Sequence, residues 1–506
     1  MSYSQAVSNK AKTFQNFIGG KWVNSGSGKL YSSINPADTN DVLGNFQKSN
    51  AEDAKKAIDA AEKAFSKWSE MPAPKRGQIL FRAAELLRER KQELGLLVTK
   101  EMGKPLSEGL GDVQEAIDVF EYMAGEGRRL FGYTTPSELE DKFAFTLRMP
   151  LGVVACITPW NFPIAVPSWK LSAALICGNS VVLKPAEDTT LCALRLTEIL
   201  DKAGIPKGVV NLISGLGPEA GQPLIESKKI DAISFTGSKE IGELITRKAG
   251  VKKVGLELGG KNAIIVMDDA ALSLAVDGII WGGFGTTGQR CTAASRVIMH
   301  ESIAGKLKKH LLERTKKMRI GPGWKKETDL GPLINRDALE KVHSYSEIAP
   351  KEGAKILTGG KPASVKGFKG FYYEPTLFDD VSINMRIAKE EIFGPSISLI
   401  SASDIEEAIE FVNSVEYGLS SSIYTSSMRS AFKAIHGIET GITYINASTI
   451  GAEVHLPFGG MKSTGNGTRE AGIEGIHEFS DTKTVYIDYS GRLQKAQIDS
   501  YKKEGK

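Results

Sequence analysis

Cys291 closes the run Gly288-Gln289-Arg290-Cys291, thirty-four residues after the first residue of Glu257-Leu258-Gly259-Gly260-Lys261. One nucleophilic sulfur and one carboxylate thus sit in two glycine-flanked stretches. A thiolate attacks a carbonyl carbon readily near neutral pH, and a carboxylate that takes a proton from water can hydrolyse the thioester so formed. An isolated cysteine is more often a small buried hydrophobe. Here Gly285, Gly288, Gln289, Arg290 and Thr292 make a poor core strand, so the expectation is a loop leading into a helix, a setting in which a thiol pKa falls.

Other residues have chemistry to offer the same site. Asn161 stands between prolines in Pro159-Trp160-Asn161-Phe162-Pro163. A rigidly held amide suits a donor aimed at developing negative charge, worth roughly 3 to 4 kcal/mol in acyl transfer, although Asn is also an ordinary turn residue. Thr236-Gly237-Ser238 follows an apolar run and precedes an apolar-periodic stretch. A glycine there lets backbone approach a ligand, and free N–H groups at a helix start attract phosphate. It is not the Gly-x-Gly-x-x-Gly fingerprint, and a plain turn has the same composition. Lys184 and Glu187, in Lys184-Pro185-Ala186-Glu187, set a donor beside an acceptor of the kind that holds ribose hydroxyls, or form a solvated ion pair.

These groups need a scaffold, and the composition allows one. The chain has 506 residues, enough for roughly two to four domains, with 41% hydrophobic and 25% charged residues as in an ordinary globular protein. Lys and Arg number 64 against 60 Asp and Glu, so nucleic acid and anionic membranes are not the expected partners. The four cysteines, at 156, 177, 192 and 291, have no Cys-x-x-Cys spacing and only six histidines beside them, which speaks against a zinc site or a disulfide scaffold. No metal is expected. Met1-Ser2-Tyr3-Ser4-Gln5 has no secretory pattern and no run of ~20 apolar residues spans a bilayer. The expected compartment is the reducing cytoplasm, where Cys291 stays a thiol.

Apolar residues at 54, 57, 58, 61, 64, 65 and 68 follow one helical face, and a second packing helix is predicted after Pro74. Short apolar runs at 153–157, 181–183, 209–213 and 232–235 then alternate with helical stretches, the pattern of a parallel sheet covered by helices. Ligands bind beyond the carboxyl ends of such strands, where 158–161, 184–187, 214–217 and 236–238 form a polar, glycine-rich rim. A second alternating region has strands at 296–299, 396–400, 421–424 and 442–445, with helices near 301–317, 335–350, 404–414 and 427–436. Glu257 ends the first region and Cys291 begins the second, so a cleft between them would unite the two. Residues 143–149 and 484–489 read as extended segments that pair with each other or with another subunit.

Assembled, these motifs resemble the aldehyde dehydrogenase superfamily from about Phe17 to Ile487: Pro-Trp-Asn-Phe-Pro at 159, Leu-Lys-Pro-Ala-Glu at 183, Phe-Thr-Gly-Ser at 235, Leu-Glu-Leu-Gly-Gly-Lys at 256, Gly-Gln-Arg-Cys at 288, Glu-Glu-Ile-Phe-Gly-Pro at 390 and Pro-Phe-Gly-Gly at 457. The resemblance implies an α/β fold of two parallel-sheet domains. These are a Rossmann-like cofactor domain over 1–130 and 150–259 and a catalytic domain over 260–465, with a small β oligomerisation arm at 131–149 and 478–495 that assembles dimers or tetramers. It implies NAD or NADP as cofactor and a small-molecule aldehyde as substrate.

By the same resemblance, Cys291 is the nucleophile, Asn161 and the Cys291 N–H hold the oxyanion, Glu257 activates water, and Lys170 with Glu470 relays the proton outward. Lys184 and Glu187 match adenine-ribose contacts, Gly237 and Ser238 the pyrophosphate region, and Glu391 and Phe393 the nicotinamide ribose. The cofactor groove also takes in Ile157, Thr158, Pro159, Trp160, Gly217, Gly221, Phe235, Thr236, Leu258 and Gly259. Asn161, Trp169, Arg290 and Phe458 face the substrate.

Two departures shape the expectation. The stretch 465–470 is one residue longer than the common pattern, which bears on Glu470. Trp169 stands where the usual bacterial succinic semialdehyde dehydrogenases carry an arginine, and the run 164–170 is more similar to dehydrogenases of sugar-acid breakdown acting on 2,5-dioxopentanoate or glyceraldehyde. Succinic or another semialdehyde is the alternative substrate. A CoA-acylating enzyme, which typically lacks the base, and a non-catalytic protein of this fold are the further alternatives. A carboxylate at 187 favours NAD by repelling a 2′-phosphate, yet relatives with glutamate there rotate it aside and accept NADP.

Overall fold

The computed structural model describes residues 11–499. Helix Ala51–Glu70 starts where Asn50 accepts hydrogen bonds from the backbone N–H groups of Glu52 and Asp53 while the Asp53 carboxylate accepts one from the Asn50 N–H, a reciprocal cap. Its apolar stripe, Ala54, Ala57, Ile58, Ala61 and Trp68, is buried. Pro74 lies in the first turn of helix Ala73–Glu89, where proline's missing N–H breaks no helical bond.

The first sheet runs, edge to edge, Lys253–Glu257, Ala232–Thr236, Val153–Ile157, Ser180–Lys184, Val210–Leu212, Asn16–Ile18 and Lys21–Val23. The first five strands are parallel. Val153–Ile157 and Ser180–Lys184 are buried along their whole length, which is why they read as unbroken apolar runs. Chain order reverses between Val153–Ile157 and its neighbour Ala232–Thr236, which makes a topological switch point where a crevice opens beyond the strand ends. The two amino-terminal strands, too short to show an apolar run in the sequence, add an antiparallel edge.

The second sheet runs Lys355–Thr358, Thr376–Asp379, Ser396–Ala402, Ala294–His300, Asn262–Val266, Ser420–Tyr424 and Ile442–Ile445. All its pairings are parallel except the first. Asn262–Val266, a fully buried strand near its centre, was not among the expected elements. Without that strand the connection from Glu257 to Cys291 has no anchor.

Strands Lys142–Pro150 and Ser480–Asp488 pair antiparallel over nine residues, from Lys142 opposite Asp488 to Pro150 opposite Ser480, with Thr134–Pro136 as a third strand. Residues 143–149 and 484–488 therefore pair within one chain, with Tyr489 just past the strand end donating its N–H to the Asp141 carbonyl. Among the described residues no helix is long and apolar enough to cross a membrane.

Candidate active site

Parallel register brings the first set of groups together. Ile157 pairs with Lys184 and with Phe235, and Thr236 pairs with Glu257, so the carboxyl ends of four strands stand in one row. The loops leaving those ends wall a cleft of about 260 Å³ lined by Pro159, Trp160, Asn161, Thr236, Gly237, Ser238, Leu258, Gly259, Glu391, Phe393 and Cys291. Phe162, Val166, Ala338, Lys341 and Ile392 complete it. The lining is mostly apolar with a few converging polar groups, as in small-molecule sites.

Cys291 reaches the cleft from the opposite sheet. The expected helix after it is absent: the chain runs directly into strand Ala294–His300, and the only helical turn, Gly285–Gly288, precedes the sulfur. The thiol therefore has no helix start to lower its pKa. Burial, reinforced by the negative charges of Glu257 and Glu391, pushes it up to about 12.

The loop before Cys291 is strained and tightly bound. Thr286, Thr287 and Gly288 all have positive φ, of 53°, 60° and 67°, and each non-glycine residue so placed costs of order 1 to 3 kcal/mol. The surroundings hold them there. The Thr286 hydroxyl donates to Glu108 (2.5 Å) and accepts from Arg290 Nε (2.8 Å), and Arg290 Nη2 reaches the same Glu108 oxygen at 2.6 Å. Gln289 donates to the carbonyls of Thr286 and Pro332 and accepts the Ile334 N–H. Asn262 Nδ2 donates to the Cys291 carbonyl at 2.7 Å, and Asn161 Nδ2 to the Gln289 carbonyl at 3.0 Å. That last bond uses one of the two Asn161 amide hydrogens and carries the amide to the nucleophile loop.

Asn161 is itself fixed by the helix on its carboxyl side. Helix Ala165–Cys177 begins where Asp112 accepts the Ile164 and Ala165 N–H groups, and Asp112 is paired with Lys104 at 3.1 Å, both side chains fully buried. Removing either partner of such a pair costs roughly 3 to 5 kcal/mol. Lys104 Nζ also lies 3.7 Å from the centre of the Phe162 ring.

Glu257 is held differently. It is buried, and neither carboxylate oxygen meets a hydrogen-bond partner among the described residues. Burial, then the charge of Glu470, raises its pKa well above the usual carboxylate range. A Cβ on Gly459 would stand 2.6 Å from Glu257 Oε1, so a glycine is required there. Lys170 contacts Glu470, and both are buried. Backbone bonds in both directions between Glu470 and Phe458, each 2.7 Å, hold that carboxylate in place across the longer loop.

The remaining expected residues fall around this centre. Trp169 and Phe458 meet edge to face at 5.1 Å. Trp160 meets Phe393 in the same way at 5.5 Å. Arg290 does not line the cleft: its guanidinium is committed to Glu108 and Thr286 and lies about 5 Å from the Phe162 and Trp281 rings. The side chains of Ile157 and Phe235 belong to the core beneath the cleft, leaving only their backbone to face a ligand. Lys184 Nζ is 3.8 Å from Glu187 at the neighbouring strand end. The turn Gly217–Gly221 lies against Lys184, close enough that a Cβ on Gly221 would meet its Cδ at 3.4 Å.

A nicotinamide dinucleotide fits these residues. The buried hydroxyls of Thr158 and Thr236 have no hydrogen-bond partner among the described residues. Gly237 packs directly on the Phe235 ring, which a Cβ there would meet at 2.4 Å, and helix Lys239–Ala249 presents its start beside it, capped by Ser238.

The likeness to known proteins spans the whole chain. Residues 22–485 match the model of the aldehyde dehydrogenase family. This chain belongs to that family. It is an oxidoreductase, and it is 42% identical to the alpha-ketoglutaric semialdehyde dehydrogenase of Bacillus subtilis over 95% of this chain and 99% of the relative. It is also 42% identical to the 2,5-dioxopentanoate dehydrogenase of Saccharolobus solfataricus, over 94% and 99%. Among solved structures, betaine aldehyde dehydrogenase from Staphylococcus aureus in complex with NAD+ superposes with a TM-score of 0.92 at 36% identity, over 95% of each chain. The two-sheet α/β architecture is that of other aldehyde dehydrogenases. Within that family fold, the residues that sequence reasoning passed over are Glu108, Asn262 and Gln289, which hold the nucleophile loop, and Ala338 and Lys341, which line the cleft. Only Gln289 lay inside a recognisable motif; Glu108 and Lys341 carried no local signal.

Proposed function

We propose that this protein oxidises a small semialdehyde, 2,5-dioxopentanoate first among them, to the carboxylic acid with NAD+ or NADP+. The observation that carries the chemistry is that Cys291 and Asn161 line one cleft, with the unpartnered carboxylate of Glu257 near enough for its charge to act on the sulfur. The substrate follows from the two relatives that are 42% identical.

In this reading the Cys291 thiol first loses its proton to water, the thiolate bonds to the aldehyde carbon, and the resulting oxyanion is held by the free Asn161 N–H and the Cys291 backbone N–H. The nicotinamide cofactor, when bound, supplies the hydride acceptor. Pro159, Trp160, Thr236, Gly237, Ser238, Glu391 and Phe393 are the residues to hold it, with Lys184 and Glu187 on the adenine ribose. Loss of hydride from the carbon leaves a thioester on Cys291. Glu257 takes a proton from water as the new C–O bond forms, the C–S bond breaks, and acid and thiolate separate. The contact of Lys170 with Glu470 supports their role in carrying that proton away.

We further propose a homo-oligomer joined through the β arm, where Phe131, Tyr133, Tyr486 and Tyr489 are about two-thirds exposed, a concentration of aromatic surface that monomers seldom leave bare. Four free cysteines fit a reducing, cytoplasmic setting. The deciding experiment compares kcat/KM for 2,5-dioxopentanoate, glyceraldehyde, succinic semialdehyde and an aliphatic aldehyde with each cofactor. The expected order places 2,5-dioxopentanoate first, and a preference for the aliphatic aldehyde overturns the substrate reading.

A further inference from the structure

Behind Glu257 lies a buried polar chain that extends past Lys170 and Glu470. Lys170 Nζ contacts Glu470 and donates to the Ser234 hydroxyl at 2.9 Å, and that hydroxyl donates to Glu478 Oε1 at 2.9 Å. Ser234 is also 3.4 Å from Glu470. All four side chains are buried, and Glu478 Oε2 has no hydrogen-bond partner among the described residues. The sheet beneath makes room for them. Cys156, Ser234 and Gly255 are cross-strand neighbours on three adjacent strands, three small residues in a row. A Cβ on Gly255 would lie 2.1 Å from the Glu478 carboxylate. Glu257 is two residues beyond Gly255 on the same strand and so on the same face.

Three carboxyl groups around one ammonium, all out of water, are costly as a purely structural device, because a buried carboxyl without a full set of partners destabilises the fold. We propose that Glu478, reached through Ser234, is the terminal acceptor for the proton that deacylation releases. The inference rests on the base role proposed for Glu257. Glu257, whose carboxylate is bound to nothing among the described residues, swings toward Glu470 after taking the proton from water and hands it to that carboxylate. Lys170 gives a proton to the Ser234 oxygen while the Ser234 hydroxyl gives its own to Glu478, and Lys170 is restored from Glu470. One proton has moved from Glu257 to Glu478 and every group between is unchanged. Glu478 ends helix Gly472–Glu478 beside Lys253, whose Nζ bonds the carbonyls of His477 and Ser480 at the half-buried margin of the domain, where Glu478 releases the proton to water before the next turnover.

The groups that face Glu478 are Lys170 and Cys177 from helix Ala165–Cys177, Glu470 from the preceding loop, Cys156 and Ser234 from the sheet, and Lys253 and Glu257 from its edge strand. Burial, then the charge of Glu470, raises Glu478 to about 8 against the pull of Lys170. A carboxyl accepts a proton only when ionised, so steady-state turnover should rise with pH through that region.

The test measures the burst of reduced cofactor, the steady-state rate over about pH 6 to 10, and thermal unfolding in Glu478→Gln, Glu478→Asp and Ser234→Ala. Glu478→Gln and Ser234→Ala should keep the burst and lose at least about tenfold in turnover, the low side of what a positioned acid–base group contributes. Both should also lose the rise near pH 8, and Glu478→Asp should recover much of it. Wild-type turnover with an unchanged pH profile in either variant overturns the proposal, as does a loss of burst and turnover together that aspartate does not rescue. Should Glu478→Gln fail to fold, Ser234→Ala decides by the same outcomes. Glu257→Gln serves as the separate control: if it retains hydrolysis, the base role fails on its own account.

Discussion

The sulfur that lines this cleft and the carboxylate whose charge acts on it are held in opposite ways. Cys291 ends a loop with three consecutive left-handed residues, fastened by side chains from helix Leu106–Glu126, strand Asn262–Val266 and the Pro159–Pro163 turn. Glu257 ends a regular parallel strand, and its carboxylate is bound to nothing among the described residues. The contrast matches the two tasks. A nucleophile must meet the aldehyde carbon beside a fixed oxyanion donor, so its backbone is constrained even at a cost in strain. A base that collects a proton from water and hands it on needs freedom, and a bare carboxylate in a buried pocket has both that freedom and a raised proton affinity.

The comparison breaks most visibly at its two ends. Cys291→Ala should abolish aldehyde-dependent cofactor reduction, burst included, and undiminished turnover would remove the sulfur from the mechanism. Glu257→Gln should leave the burst and slow the subsequent turnover by about 10²- to 10³-fold, within the range for a general base. Absence of both burst and slowing in that variant sinks the division of labour. Free CoA added to the wild-type enzyme should not accelerate turnover, because water activated by Glu257 already resolves the thioester.

Much of this was legible in the sequence because it is local. The four predicted strands of the first sheet and the four of the second fall within two residues of the observed ends, since buried parallel strands announce themselves as short apolar runs. The motifs at 158–161, 236–238 and 258–259 fall on the cleft because they come directly after strand ends, whereas the Cys291 motif comes just before one. The elements and contacts that escaped depend on distant pairings. Strand Asn262–Val266 lies directly after a glycine pair and reads as the tail of a motif rather than an element. The expectation of a helix after Cys291 came from polar flanks, but those flanks serve a strained turn whose partners lie far off in sequence, at Glu108, Pro332 and Ile334. Arg290, matched to the substrate by its place beside Cys291, is taken instead by Glu108, about 180 residues upstream. No spacing rule reports a contact of that kind.

That ion pair offers a way to sharpen the contrast from the loop side. Glu108 and Arg290 are 6% and 14% exposed, and Glu108 also holds the Thr286 hydroxyl. Glu108→Ala should destabilise the protein by about 3 kcal/mol, as for an ion pair cut on one side in a largely buried setting, read as a lower midpoint in chemical denaturation. It should also slow the burst, because the left-handed turn loses its clamp, while the hydrolytic phase stays unchanged. A variant with slowed hydrolysis and a normal burst would mean that loop and base are not mechanically separate.

The smallest effect tests the electrostatic link between the two groups. Burial and the charges of Glu257 and Glu391 raise the Cys291 thiol to about 12, so without cofactor the sulfur is protonated at neutral pH. The thiolate fraction then grows about tenfold per pH unit over the whole range below that value. Alkylation of Cys291 by iodoacetamide should accordingly keep rising to about pH 10 without a plateau. Glu257→Gln removes one of the negative charges that oppose ionisation, so at an alkaline pH at which Glu257 is ionised its alkylation should be faster by about three- to tenfold, a shift of up to one pKa unit. A plateau below about pH 8 would show a thiol already ionised by some group other than those named. Equal rates in the wild type and Glu257→Gln would mean that the bare carboxylate does not act on the sulfur, and the two regions would then share a cleft without sharing a field.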